Sequence, residues 1–239
     1  MIDRTALKER IKSNILKAES MTDPLHTMKA FTTIEIKFQK PSVLSGDDGM
    51  ISKQNGDDTE TKNQAYIEFY RAPLPKDLHN ICMDLFEKNM SNLYKNSSWG
   101  LDLKSKSNEF NHDSARFLIV RCNGRNESID NCIAFSHFRF ELNDDADPTE
   151  EVLYVYEIQV DPNFQKYGIG KHCMSIMELI ALRAGMRRVM LTVFKENNLA
   201  MKFYRNKMKY SIDESSPSNF LGGDDEDYEI LSKSLVKKK

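Results

Sequence analysis

Hydrophobic positions along this chain recur with two periods, one helical and one alternating. Leu7, Ile11, Ile15 and Leu16 repeat every three or four residues among Arg4, Lys8, Arg10, Lys12 and Lys17, which predicts an amphipathic helix over 3–19. Residues 31–38 are β-prone. Residues 41–63 are rich in Gly, Asp, Ser, Asn and Lys and lack periodicity, so they read as a disordered inserted loop. A regular series follows. Residues 65–70 read as a strand, and 75–95 as a helix with Leu78, Ile81, Cys82, Leu85, Phe86 and Met90 on one face. Residues 116–122 and 132–142 read as an antiparallel strand pair joined by the polar turn 123–131. A strand is predicted over 152–160. The helix predicted over 170–184 carries the stripe Cys173, Ile176, Met177, Ile180 and Ala181, and Gly185 supplies its left-handed stop. A strand at 189–194, a helix at 198–208 and a short strand at 228–231 complete the order. The expected class is α+β: a mixed, mostly antiparallel sheet flanked by helices, with an N-terminal helix. The predicted divisions are 1–40 (helix and extension), 41–63 (loop), 64–232 (the domain) and 233–239 (a basic tail).

Composition narrows the class. The chain has 239 residues, enough for one large domain with a sizeable core. Hydrophobic residues at 40% and charged residues at 29% suit a soluble globular protein. A net charge of −2 gives no general attraction to polyanions, so direct nucleic-acid binding is not expected, and the basic positions around the first helix read as a solvated face. Cys82, Cys122, Cys132 and Cys173 form no CxxC pair, which argues for reduced thiols and against a metal site. The opening residues are charged, without a signal-peptide core or a Met-Gly acylation start, and no apolar run approaches the ~20 residues that span a bilayer. The expectation is a soluble, intracellular protein that does not engage membranes.

The stretch richest in chemistry is Tyr154–Pro162 followed by Gln165-Lys-Tyr-Gly-Ile-Gly170 and a helix. A strand feeding a short glycine turn that opens a helix makes an anion site, because the first helical N–H groups lack partners and the dipole favours negative charge there. Gly168 and Gly170 would let the backbone approach a pyrophosphate closely. A phosphate-binding P-loop would need an earlier glycine and Ser or Thr after the lysine, whereas His172 follows Lys171. A dinucleotide fold would need a third glycine.

Gln165-x-x-Gly168-x-Gly170 resembles the acetyl-CoA signature of the GNAT superfamily, R/Q-x-x-G-x-G/A. Asn197-Asn-Leu-Ala200-Met-Lys-Phe203-Tyr204 looks like that family's second CoA-side segment, although the usual glycine before the final aromatic is Lys209 here, ahead of Tyr210. Phe135-Ser-His-Phe-Arg-Phe140, Tyr154-x-Tyr156-Glu157, Val189-Met-Leu-Thr-Val-Phe-Lys195, Ile212-Asp-x-Ser-Ser-Pro-Ser218, Tyr228-Glu-Ile-Leu231 and Tyr94-x-x-x-x-Trp99-Gly100 resemble the NatD-type histone N-alpha-acetyltransferases. The likeness spans roughly 81–231 and fades toward the N-terminus.

This resemblance implies a GNAT fold, acetyl-CoA as co-substrate, and direct attack of a substrate amine on the thioester. The backbone of Ile158, Gln159 and Val160 would hold pantetheine. Gln165, Lys166, Tyr167, Gly168, Ile169 and Gly170 would hold pyrophosphate, with Asn197 and Ser215 as further cofactor contacts. Glu157 would be the general base, beside Tyr156; a carboxylate within an otherwise apolar strand should have a raised pKa. Tyr204 is either the acid that protonates the leaving thiolate or a core residue. The likeness places Tyr94, Trp99, Glu141, Asn143, Tyr154, Tyr156, Thr192 and Tyr228 around a peptide. At Asn143 the family pattern leads one to expect an acid, which Asp144 could supply. Trp99 reads equally as a core anchor. Acidic runs at 141–151 and 213–229 would attract a cationic peptide, and the Ser-Gly-Arg-Gly-Lys start of histone 4 and histone 2A fits them. A monomer without an auxiliary subunit, in nucleus and cytoplasm, is implied by the same likeness. The competing readings are a GNAT enzyme acting on lysines or on broader N-termini, and a silent acyl-CoA-binding or histone-reading module.

Overall fold

The computed structural model describes residues 4–37, 62–122, 131–143 and 150–236. Most of the predicted inserted loop, the 123–130 turn, the acids at 144–149 and the last three residues of the basic tail lie outside the described residues.

Eight described strands form one sheet: β1 (Thr33–Lys37), β2 (Lys62–Arg71), β3 (Arg116–Cys122), β4 (Cys132–Asn143), β5 (Glu150–Val160), β6 (Arg188–Phe194), β7 (Ser211–Ile212) and β8 (Tyr228–Ser234). Their order is β1-β2-β3-β4-β5-β6-β8-β7. All neighbours run antiparallel except β5 and β6, which are parallel. A parallel pair cannot be closed by a tight turn, and the chain between them is helix α4 (Ile169–Arg183). The mixed, mostly antiparallel sheet is therefore as expected, and the two-residue β7, too short to leave a pattern, is an addition.

Alternation along the central strands divides the core. Leu118 and Val120 of β3 face a cluster with Ala18 of α1 (Arg4–Glu19) and Cys173, Met177 and Ile180 of α4. Phe117 and Ile119 face the other cluster, with Leu78, Cys82 and Phe86 of α2 (Lys76–Asn96) and Phe110 of α3 (Leu103–Phe110). Burying a side chain of this size stabilises by about 1.5–3 kcal/mol, so both layers are needed to hold the sheet. In α1, Ile11 is buried but Leu16, expected in the stripe, is exposed. Gly185 has φ 77° and ends α4 as anticipated.

Two features escape the hydrophobic pattern. Helix α3 has only Leu103 and Phe110 as large apolar residues; it is started by Asp102, whose Oδ1 accepts the Ser105 amide at 2.9 Å. The predicted helix at 198–208 is instead a short α5 (Asn198–Lys202) that runs into a π-helical turn over Phe203–Lys207, a distortion found disproportionately at functional sites.

Candidate active site

Strands β5 and β6 pair only as far as Val155 and Leu191. Beyond that point they part, and a cleft of about 960 Å³ opens between Tyr156–Val160 on one wall and Thr192–Phe194 on the other. On the β4 side the register shifts: His137 faces Glu157 and Phe138 faces Val155, so Tyr156 is the extra residue of a β-bulge. Strict alternation would have put Tyr154, Tyr156, Ile158 and Val160 on one face and Glu157 on the other. The bulge reverses the parity instead. Ile158 and Val160 pack toward the α1/α4 core, while Tyr154, Tyr156, Glu157 and Gln159 share the α2/α3 side.

Glu157 is buried, and both its oxygens have partners. Lys106 of α3 donates to Oε1 at 2.9 Å, and Gln159 donates to Oε2 at 2.7 Å. Burial pushes the Glu157 carboxyl up, and the charge of Lys106 pulls the other way. Lys106 also donates to Glu109 at 2.8 Å and lies 5.0 Å from the Phe86 ring centre. Burial works against its charge, but Glu157, Tyr94 and Glu109 together hold the ammonium above its ordinary pKa.

Tyr156 is gripped on three sides. Its hydroxyl donates to Glu141 at 2.6 Å, its ring stacks on His137 at 4.9 Å, and the Arg139 guanidinium sits 4.4 Å from the ring centre. The Tyr154 hydroxyl meets Thr192 Oγ1 at 2.5 Å, bridging the parted strands. At the mouth, Trp99 packs edge-on to Phe194 at 5.1 Å and tilted on Tyr228 at 5.0 Å, and Tyr94 meets Phe194 at 5.0 Å. The loop that carries Trp99 is tied down by Asp227, which accepts the Ser98 amide at 2.5 Å. Trp99 remains about half exposed, so it is a wall of the cleft rather than a core anchor.

The glycine turn stands at the other end. Gly168 has φ 88° and is the residue before α4, with no side chain capping the helix N-terminus. Lys166 also takes a left-handed conformation, φ 68°. Gln165, Lys166, Gly168, Ile169 and Gly170 line the cleft, and Gln165 donates to the Val160 carbonyl. The two glycines differ in purpose. Gly168 occupies a backbone region that side chains avoid, whereas a Cβ on Gly170 would rest in ordinary contact with Phe203 at 3.6 Å and Ile158 at 3.9 Å. Asn197 caps α5 through the Ala200 amide at 3.1 Å and lines the same end. Tyr204 is buried in the π-turn, borders the cleft, and has its phenol pushed up by burial, so it carries its proton at neutral pH.

Five sequence-based candidates lie outside the cleft lining, and two of them, Glu141 and Tyr228, touch it through Tyr156 and Trp99. Tyr167 packs toward the α1/α4 core. The Ser215 hydroxyl donates to Asp213 at 2.7 Å, and Asp213 in turn accepts from Arg188 at 2.7 Å. Asn143 is buried at the end of β4 opposite Glu150. The acidic clamp is also smaller than the charge count suggests. Glu150 pairs with Arg188 at 2.5 Å, Glu151 accepts from Asn14, and buried Glu229 accepts from Ser216 and Ser218. Lys106, Glu109, His137 and Arg139 also border this site or the residues that shape it, and motif spacing does not point to them. For the strand pair, the signal was present as polar residues at alternate places inside Phe135–Phe140; α3 offered none.

A splayed parallel strand pair leading to a left-handed glycine before a helix gives room for an extended anionic ligand, with the buried carboxylate of Glu157 beside it. The family model described as Acetyltransferase (GNAT) family matches residues 78–210, more than half of the sequence, and the chain belongs to that family. Among solved structures, Arabidopsis thaliana NAA60 in complex with acetyl-CoA superposes with a TM-score of 0.53 at 15% identity, over 71% of this chain and 98% of that one. An acetyltransferase from Streptococcus agalactiae gives 0.53 at 14% identity, over 71% and 98%. A GNAT-family acetyltransferase from Staphylococcus aureus gives 0.51 at 14% identity, over 71% and 99%. At these identities the likeness speaks for the fold. Among the described residues no cluster could hold a metal ion, and no helix is long and apolar enough to cross a membrane.

Proposed function

We propose that this chain transfers the acetyl group of acetyl-CoA to the N-terminal serine amine of histone 4 and histone 2A tails. The observation that carries the reading is Glu157, a buried carboxylate beside Tyr156 at the floor of a cleft walled by Tyr94, Trp99 and Phe194. An α-ammonium must lose its proton before it can attack, and a carboxylate raised by burial is suited to take it near neutral pH. The free amine then adds to the thioester carbonyl. The unpaired β6-side edge of β5 at Ile158–Val160 offers backbone donors to the developing oxyanion. Collapse releases the thiolate, for which Tyr204 is the available acid. The glycine turn receives the pyrophosphate.

An aromatic-walled mouth favours a slim N-terminal residue followed by small glycine over a lysine side chain presented from within a peptide. In this reading the enzyme acts as a monomer without an auxiliary subunit, in nucleus and cytoplasm, and uses no nucleic-acid or membrane contact.

The test is acetyl transfer to a Ser-Gly-Arg-Gly-Lys peptide, beside the same peptide with its N-terminus blocked. Modification of the free peptide alone is expected. Equal modification of both would make the chain a lysine acetyltransferase, and modification of neither would leave a binding module or another substrate.

A further inference from the structure

We propose that Lys106 of α3 is a positioning residue for the base, keeping Glu157 ionised and aimed into the cleft. The inference rests on the acetyl-transfer reading above and deepens it. Its ground is geometric. Lys106 is buried, reaches Glu157 at 2.9 Å and Glu109 at 2.8 Å, and lies over the rings of Phe86 at 5.0 Å and Tyr94 at 5.7 Å. A buried lysine is costly unless paired, and one shared between two carboxylates fixes where both of them point. Nothing about the packing of α3 requires this charge, since Phe110 anchors that helix in the core.

The groups facing Glu157 come from every element around it. Lys106 and Glu109 face it from α3, Tyr94 from α2, His137 from β4, Tyr204 from the π-turn, and Tyr156 and Gln159 from its own strand, while Arg139 of β4 lies farther along, opposite Tyr154. His137 is neutral near pH 7, because burial pushes its pKa down to about 4, and the tyrosines keep their protons. Arg139 is committed to the Glu109 carbonyl at 2.7 Å and to the Tyr156 ring. Among the described residues that leaves Lys106 as the cation in direct contact with the base. Glu109 opposes it, since a second negative charge disfavours ionisation of Glu157.

Two variants should therefore move the acid limb of the pH–rate profile in opposite directions. Removing the ammonium in Lys106→Met makes Glu157 harder to ionise, so the limb moves to higher pH. Turnover near pH 7 should fall about tenfold for each unit of that movement and recover toward wild type in alkaline buffer. Lys106→Arg should restore most of the neutral-pH rate. Glu109→Gln removes the opposing charge, so the limb should move to lower pH.

The measurement is kcat/KM for the Ser-Gly-Arg-Gly-Lys peptide across pH in the full chain. It is paired with infrared spectroscopy of the carboxyl band in Lys106→Met against Lys106→Met/Glu157→Gln. A protonated carboxyl band near pH 7 in the first variant and its loss in the second are expected. A uniform loss of rate with an unmoved limb, or absence of that band, would overturn the proposal. Should Lys106→Met not fold, the direction shown by Glu109→Gln decides it. A wild-type chain that leaves the peptide unmodified overturns the functional reading instead, and the infrared comparison still judges the pairing.

Discussion

His137 makes a pH dependence that can be worked from its surroundings. The imidazole is fully buried in β4, stacked between Phe117 at 5.0 Å and Tyr156 at 4.9 Å. Nδ1 stands 3.5 Å from Glu109 Oε1, too far for a strong hydrogen bond, and neither ring nitrogen has a well-formed partner among the described residues. Burial pushes the pKa down to about 4 from an ordinary 6.5. Between these two values the unfolded chain binds a proton that the folded chain refuses. Stability therefore rises with pH across this window and falls as the solution is acidified from 6.5 toward 4. At 1.36 kcal/mol per unit, the imidazole alone costs about 3 kcal/mol on going from pH 6.5 to 4. His137→Phe keeps an aromatic ring in the stack and removes the titration. It should be near neutral at pH 7, where loss of two unpartnered nitrogens offsets about 1 kcal/mol of overpacking. Near pH 4.5 it should be more stable than wild type by about 2–3 kcal/mol. Urea midpoints of both proteins at pH 7 and pH 4.5 give the comparison. Equal acid sensitivity in the two would refute the buried neutral imidazole.

Glu157→Gln should lower kcat about 100-fold or more while the KM for acetyl-CoA holds, since general-base catalysis contributes on that order; an unchanged kcat in a steady-state assay removes Glu157 from the mechanism. Gly168→Ala disfavours φ 88° by about 1–2 kcal/mol, so the turn should relax out of that conformation in the free chain, and restoring it on binding should weaken CoA affinity by up to about 5- to 30-fold by calorimetry. Gly170→Ala, with ordinary contacts only, should change it less than about threefold, and the reverse ranking would sink the distinction. Lys209 holds φ 65° where the family pattern has glycine, so Lys209→Gly should stabilise by about 1 kcal/mol in thermal melts, and a lower melting temperature would contradict it.

The helices and strands with clean periodicity were legible to within a few residues, because burial on one or both faces leaves a period that local chemistry does not disturb. The failures share a cause. Helix α3 buries Lys106 and Phe110, and a polar residue held in the interior by two carboxylates carries no hydrophobic signal. The bulge at Tyr156 inserts one residue into β5, so alternation read from Tyr154 forward predicts the wrong face for Glu157. Ser215, which carries a matched motif, stands outside the cleft lining, where its hydroxyl donates to Asp213 within the same turn. The glycine turn was legible because φ 88° at Gly168 restricts which residue can stand there.

Charge counting also misjudged the mouth, and the reason bears on specificity. Of the acids in the two runs, Asp213, Glu150, Glu151 and Glu229 are buried and engaged with Arg188, Asn14 or serines. Such contacts hold β8, β6 and the turn after β7 in place; Arg188 offsets part of the charge of Glu150 and Asp213, and Lys195, 3.9 Å away, part of that of Glu229, whereas Glu151 meets the neutral Asn14 amide. Glu214, Asp224, Asp225 and Glu226 remain exposed and can steer a cationic tail, but screening confines that effect to roughly 10 Å at 0.1 M salt. Discrimination between amines would then arise inside the cleft, at the rings of Trp99 and Phe194, with Tyr228 packed behind Trp99, and at the buried carboxylate of Glu157. Under the proposed function, such a site would read the first residues of a substrate by shape and by the single proton it must remove, and would use the basic residues that follow mainly to hasten encounter.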